Sequence, residues 1–247
     1  MLFPLPRWFA HRGGGSLAPE NTLAGIRLAA RLGYRAVEFD VMLSASGTPV
    51  LIHDETLERT TSGVGKVCDT PDAILFALDA GDGERIPRFA EAATLCRELG
   101  LLANIEIKPA TGHEVLTAEV VARLTADLWR GAEVQPLISS FSLAALEVAR
   151  DLAPEVRRGV LFEAPPADWL AELRRLQAVS LHCDADLLDD EVLATARAHD
   201  IPVLCYTVNT DKQAKMLFAR GVSALFTDRL DLFGGETNPY DCLHLVG

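Results

Sequence analysis

The chain repeats one unit along most of its length: an amphipathic helix, a glycine or turn, then a short apolar strand. The unit shows in Leu32-Gly33 ahead of Val37-Glu38-Phe39-Asp40, and in Leu99-Gly100 ahead of Ile105-Glu106-Ile107. It returns in His199-Asp200 ahead of Ile201-Pro202-Val203-Leu204-Cys205-Tyr206, and in Arg220-Gly221 ahead of Leu225-Phe226-Thr227-Asp228. Glycine just past a helix is the usual stop, because it accepts the left-handed conformation there. The pattern predicts strands near 8–13, 36–43, 102–108, 136–140, 157–162, 178–182, 202–207 and 224–227. Helices are predicted near 21–32, 87–99, 113–130, 142–152, 166–176, 189–199 and 210–219. Asn21 or Thr22 can cap the first helix, Pro87 suits the first turn of the second, and Asn209 or Thr210 can cap the last. Eight strands alternating with helices predict an α/β fold, a closed (β/α)8 TIM barrel. A chain of 247 residues is the usual size for one such barrel, so 1–247 reads as a single domain.

One run breaks the alternation. Thr48-Pro49-Val50-Leu51-Ile52-His53 follows the second strand after only Ser44-Ala45-Ser46-Gly47. A parallel crossover needs a dozen or more residues, so these two strands must form an antiparallel hairpin. The stretch 54–86 that follows is too long for an ordinary loop between strand and helix. It reads as a small insertion after the β2 hairpin, over the barrel mouth, with a short helix near 71–78. The tail 234–247 lies beyond the last strand and is expected to cap the barrel or fray.

Composition narrows the partners. The net charge of −12 argues against nucleic acid and against an anionic membrane, both of which need a basic surface. The five cysteines, 68, 96, 183, 205 and 242, form no C-x-x-C pair, which argues against zinc and thioredoxin-like chemistry. Scattered cysteines in odd number read as reduced thiols. No apolar run is long enough for a membrane span, and the segment ahead of His11 is too short for a signal peptide. The expected setting is cytoplasmic.

Glu38 and Asp40 lie two apart inside Ala36-Val37-Glu38-Phe39-Asp40-Val41-Met42-Leu43, and Glu106 and Lys108 two apart in the strand near 102–108. Residues two apart share one face of a strand. Unpaired buried carboxylates are too costly to be accidents of packing. One such pair alone could be a structural ion pair. The whole set at the strand ends, where barrel active sites lie, is better explained by function. A divalent cation meeting Glu38, Asp40 and Glu106 is the economical answer. Three carboxylates favour a hard ion, Mg2+ or Ca2+ with Mn2+ as an alternative, over zinc. His11 and His53 each end a strand near these acids and can serve as acid and base. Asp228 lies at a further strand end.

Other features read more blandly. His113 and His199 fall on predicted helices and His244 in the tail, as surface or structural residues. His182 ends a strand and is expected to be structural. Gly13-Gly14-Gly15 can cradle a phosphate or simply make a turn; it lacks the nucleotide-binding patterns. Tyr206 places a ring at the mouth of its strand, as a substrate contact or a core aromatic.

Together these segments strongly resemble the glycerophosphodiester phosphodiesterase family, nearest to its cytoplasmic bacterial members. The matching motifs are His11-Arg12-Gly13, Pro19-Glu20-Asn21-Thr22, Glu38-Phe39-Asp40, His53-Asp54, Leu57-Glu58-Arg59-Thr60, Glu106-Ile107-Lys108, Tyr206-Thr207-Val208-Asn209 and Thr227-Asp228. The resemblance implies a barrel with a small insertion after the His-Asp motif. It implies that Glu38, Asp40 and Glu106 hold the cation and that His11 and His53 are the acid–base pair. It implies that Arg12 contacts phosphate, with Lys108 and Asn21 assisting. The expected partner is a small-molecule glycerophosphodiester, cleaved to sn-glycerol 3-phosphate and an alcohol. A lyase of the sphingomyelinase D type and a non-catalytic phosphodiester-binding barrel are the rivals. Complete retention of both histidines and all three acids argues against the second. Oligomeric state is not legible in the sequence.

Overall fold

The computed structural model describes residues 5–233. Eight parallel strands close into a barrel: β1 (Trp8–Ala10), β2 (Ala36–Leu43), β4 (Leu102–Ile107), β5 (Leu137–Ser140), β6 (Arg157–Phe162), β7 (Ser180–Asp184), β8 (Val203–Tyr206) and β9 (Ala224–Thr227). β1 pairs with both β2 and β9, which seals the ring. A ninth strand, β3 (Pro49–Leu51), runs antiparallel to β2 with Val41 opposite Leu51. This is the predicted hairpin. The outer helices are α1 (Leu23–Arg31), α3 (Phe89–Glu98), α4 (Glu114–Leu128), α5 (Leu143–Leu152), α6 (Trp169–Arg175), α7 (Asp190–Ala198) and α8 (Asp211–Arg220). Short α2 (Asp72–Leu75) and α9 (Leu230–Phe233) and a 3-10 turn at Val67–Asp69 complete the described elements. No helix among the described residues is long and apolar enough to cross a membrane.

The strand sequences explain both layers of packing. In β2 the outward residues Val37, Phe39 and Val41 join the core shared with the helices, as do Ala103, Ile105 and Ile107 of β4. The inward residues are graded along the strand. Ala36 and Leu102 sit in the apolar plug at the barrel floor with Phe9, Leu137 and Leu204. Register then sets Glu38 beside Asn104 and Asp40 beside Glu106, nearer the C-terminal ends. The same alternation that fills the floor with carbon therefore delivers carboxylates to the mouth.

Element ends differ from expectation for local reasons. β1 stops at Ala10, because Arg12 and Gly13 turn with positive φ of 50 and 77°. Thr22, not Asn21, caps α1, its hydroxyl accepting the Gly25 N–H at 3.2 Å. α3 starts after Pro87; Glu91 reaches back to accept the Arg88 N–H at 2.8 Å. Thr210 caps α8. The insertion 54–86 packs a small apolar cluster of its own, including Leu57, Val67, Leu75, Ala80 and Ile86, against Met42, Val50 and Ile52 of the hairpin region. The expectations for the tail, including His244 and Cys242, lie outside the described residues.

Candidate active site

A cavity of about 420 Å3 opens at the C-terminal ends of the strands. Glu38, Asp40, Glu106, Lys108, His11, Arg12, His53 and Tyr206 all line it, brought together from five strand ends. Asn21 does not. Its amide nitrogen donates to Asp40 Oδ2 at 2.9 Å, and its carbonyl oxygen accepts the Asp40 N–H at 3.1 Å. Asn21 thus holds a carboxylate in place. Among the described residues, the lining takes Glu38, Asp40 and His53 from the hairpin region and none from the insertion 54–86.

The two histidines are built alike. His11 Nδ1 lies 2.7 Å from Asp228 Oδ1, and His53 Nδ1 lies 2.7 Å from Asp54 Oδ1. A carboxylate only accepts, so each imidazole donates through Nδ1 and turns Nε2 toward the cavity. Asn209 steadies the first pair, donating to Asp228 Oδ2 at 3.0 Å and accepting the Asp228 N–H at 2.8 Å. His11 Nε2 stands 3.8 Å from Glu38 Oε2. His53 Nε2 accepts from the Lys108 ammonium. Burial and the Lys108 charge lower the His53 pKa, with Asp40 opposing them, which favours a neutral ring whose Nε2 lone pair receives the Lys108 N–H. His182, by contrast, is buried against the Ser180 hydroxyl, and burial pushes it down to about 3. His113 precedes α4 without capping it.

The acids form one cluster. Ligand oxygens of Glu38, Asp40 and Glu106 lie within 4.8 Å of one another, and all three residues are buried. Burial first, then repulsion from Asp40 and Glu106, drives the Glu38 carboxyl well above its usual range. Glu106 is pushed up to about 8 by burial and by Asp40. Asp40 stays low despite burial, because Lys108 at 3.4 Å, His53 and the Asn21 amide all favour its charged form. Glu38 Oε1 and Glu106 Oε1 are buried without a hydrogen-bond partner. Lys108 Nζ stands 3.7 Å from Glu106 Oε1, and buried carboxylate oxygens gathered this closely with so few donors fit a hard divalent cation.

The glycine triplet does a different job from the phosphate cradle considered above. The N–H groups of Gly13, Gly14, Gly15 and Ser16 are donated to the backbone oxygens of Glu38, Arg12, His11 and Asp228. None is left to face an anion. A Cβ on Gly14 would meet Gly25 Cα at 2.8 Å, and one on Gly25 would meet Gly14 N at 2.7 Å. The loop carrying Arg12 therefore sits directly on α1. Gly25→Ala should lower stability in urea unfolding by about 1–3 kcal/mol from overpacking, against a helix-propensity gain of about 1 kcal/mol. An unchanged or higher urea midpoint would show that this contact does not fix the loop.

Sequence reasoning missed several lining residues. Phe141 stands edge-on to Tyr206, with ring centroids 5.9 Å apart, and Leu161, Glu163 and Phe226 line the same cavity. The Tyr206 hydroxyl donates to the Phe162 carbonyl at 2.8 Å, so its ring is what faces the cavity.

Carboxylate-oriented imidazoles beside an acidic cluster, at the C-terminal face of a (β/α)8 barrel, are an arrangement suited to acid–base hydrolysis. Comparison narrows the class. The model of the glycerophosphoryl diester phosphodiesterase family matches residues 11–232. A glycerophosphodiester phosphodiesterase of Caldanaerobacter subterraneus subsp. tengcongensis is 32% identical over 227 residues, 89% of this chain and 92% of that one. Another, from Bacillus subtilis, is 29% identical over 248 residues, covering 91% of this chain and 84% of the relative. An Oleispira antarctica phosphodiesterase, solved with the product sn-glycerol-3-phosphate, superposes with a TM-score of 0.86 at 37% identity, covering 91% of this chain and 93% of that one. The chain belongs to the glycerophosphoryl diester phosphodiesterase family and is an enzyme, a phosphoric diester hydrolase.

Proposed function

We infer that the enzyme hydrolyses glycerophosphodiesters to sn-glycerol 3-phosphate and an alcohol. The observation that carries this reading is the pair of imidazoles, each held by an aspartate, lining one cavity with three clustered carboxylates. The product bound to the Oleispira antarctica phosphodiesterase supports the choice of glycerophosphate. Glu38, Asp40 and Glu106 would hold a divalent cation, Mg2+ or Ca2+ or else Mn2+, which when bound supplies charge stabilisation to the phosphate oxygens. Arg12 and Lys108 add positive charge to the same cavity, in keeping with an anionic substrate.

One histidine takes the proton of the attacking oxygen, while the other protonates the leaving alkoxide as the P–O bond breaks. The attacking oxygen is water, directly or after the neighbouring glycerol hydroxyl has closed a cyclic phosphate. Both routes use the same two Nε2 atoms. Asn21 serves the substrate indirectly by fixing Asp40, and the Tyr206 ring meets it by surface contact. A cytoplasmic setting is supported by Cys68, Cys96, Cys183 and Cys205 all being free thiols.

The lining contains few groups placed to read an alcohol, and none from the insertion. Choline, ethanolamine, glycerol and serine diesters should therefore show kcat/KM values within about tenfold of one another, or ~1.4 kcal/mol. A coupled assay for sn-glycerol 3-phosphate across this panel tests both points. Absence of that product from every diester would refute the function. A preference of about a thousandfold for one head group would refute the tolerance alone.

A further inference from the structure

Two motif residues take no part in the chemistry so far: Glu20 in Pro19-Glu20-Asn21-Thr22, and Arg59 in Leu57-Glu58-Arg59-Thr60. The fold brings them together beside the site. The Arg59 guanidinium is gripped from two sides. Nη1 and Nη2 donate to Glu20 Oε2 and Oε1, each at 2.8 Å. Nε and Nη2 donate to Asp54 Oδ2 and Oδ1 at 2.6 and 2.9 Å. Asp54 is the carboxylate that orients His53, and Glu20 accepts from Arg12 Nη1 at 3.0 Å. Five side chains thus run without a break from a cavity imidazole, through Asp54, Arg59 and Glu20, to the arginine on the far side.

We propose that Arg59 is a positioning residue for the reaction: by clamping Asp54 and Glu20 in one guanidinium, it sets the ring of His53 and the reach of Arg12 together. The proposal rests on the roles given to His53 and Arg12 above. Arg59 does not line the cavity, so it acts through these partners. A planar fork fixes orientation as well as distance, and here two forks share one donor group. Lysine would keep the charge but could not hold two carboxylate planes at once. The Arg59 side chain is 46% exposed. Solvent screens charges exposed to this degree, so even a bidentate network here should move kinetics more than stability. Arg12 itself cannot relax through its backbone, which sits at φ 50° with its carbonyl accepting the Asn21 N–H at 2.8 Å. Glu20 governs only the side chain.

Arg59 also borders an open surface groove with Glu20, Thr60, Thr61 and Asp79. A small guanidinium ion from solution can therefore reach its place. The test is steady-state hydrolysis of glycerophosphocholine by the metal-supplemented full chain, comparing Arg59→Ala and Arg59→Lys in the wild-type and His53→Ala backgrounds. Arg59→Ala should lower kcat by ~10–100-fold and raise KM, the scale of a misplaced catalytic group, with the melting temperature little changed. Arg59→Lys should recover little, and methylguanidinium, but not methylammonium, should partly restore Arg59→Ala. In the His53→Ala background the further loss in kcat should shrink to within about twofold, because both changes remove the same contribution. An equal loss in both backgrounds, full activity of Arg59→Lys, or wild-type kinetics of Arg59→Ala would overturn the clamp. If Arg59→Ala does not fold, Glu20→Gln and Asp54→Asn carry the test. The first should act mainly on KM and the second mainly on kcat, and the same pattern from both would overturn the proposal. Wild-type turnover by His53→Ala would instead remove the catalytic role of His53. An inactive His53→Ala beside a fully active Arg59→Ala removes only the clamp.

Discussion

His11→Ala and His53→Ala should each lower kcat by ~10²–10⁴-fold, the range for loss of a positioned acid or base. Each ring is tied by Nδ1 to an aspartate and turns Nε2 to the cavity, so alanine removes a proton-transfer atom and leaves the backbone untouched. Neither ring belongs to the apolar core, so both variants should keep the wild-type circular dichroism spectrum. His113→Ala is the control and should be nearly silent, since that side chain caps nothing. Stopped or quenched assays on an unactivated choline ester are the right measurement, because an activated leaving group needs no acid. Near wild-type turnover by either variant on that ester would remove the histidine concerned from the mechanism.

Metal removal should be equally severe. Without a cation, burial and repulsion from their neighbours drive Glu38 and Glu106 toward protonation, Glu38 most clearly. A stripped enzyme should therefore lose turnover, and Mg2+, Mn2+ or Ca2+ should restore it. The same site links to stability. An ion at one hundred times its Kd stabilises the native state by about 2.7 kcal/mol. For a chain of this size that raises Tm by roughly 5–10 °C. Glu106→Gln should abolish most of that rise, because it removes a charged ligand from the cluster. A calorimetric scan showing the same shift in wild type and Glu106→Gln would place the ion elsewhere.

The sequence revealed some layers of this site better than others. The barrel was legible because helix and strand periods differ, and the hairpin because four residues cannot span a parallel crossover. Glu38, Asp40 and Glu106 stood out because a charge on a buried face is costly wherever the chain goes. What pairs with what was hidden. Asp228 orients His11 across 217 residues, and Asn21 grips Asp40 where capping of α1 or assistance to the substrate was expected. Phe141 reads locally as any residue after a strand. Gly13-Gly14-Gly15 would look the same as an anion cradle or as a packing surface. Only the close approach of Gly25 and the spent N–H groups decide between them. Arg59 and Glu20 were visible as motif residues, but their joint hold on Asp54 and Arg12 exists only in three dimensions.

Phosphorus-31 NMR of glycerophosphocholine turnover, run in parallel on metal-loaded and chelator-stripped enzyme, tests the central claim most directly. The account predicts conversion to sn-glycerol 3-phosphate as the end product with metal, and no conversion without it. Full turnover by the stripped enzyme, or a cyclic phosphate that accumulates as the end product, would contradict it.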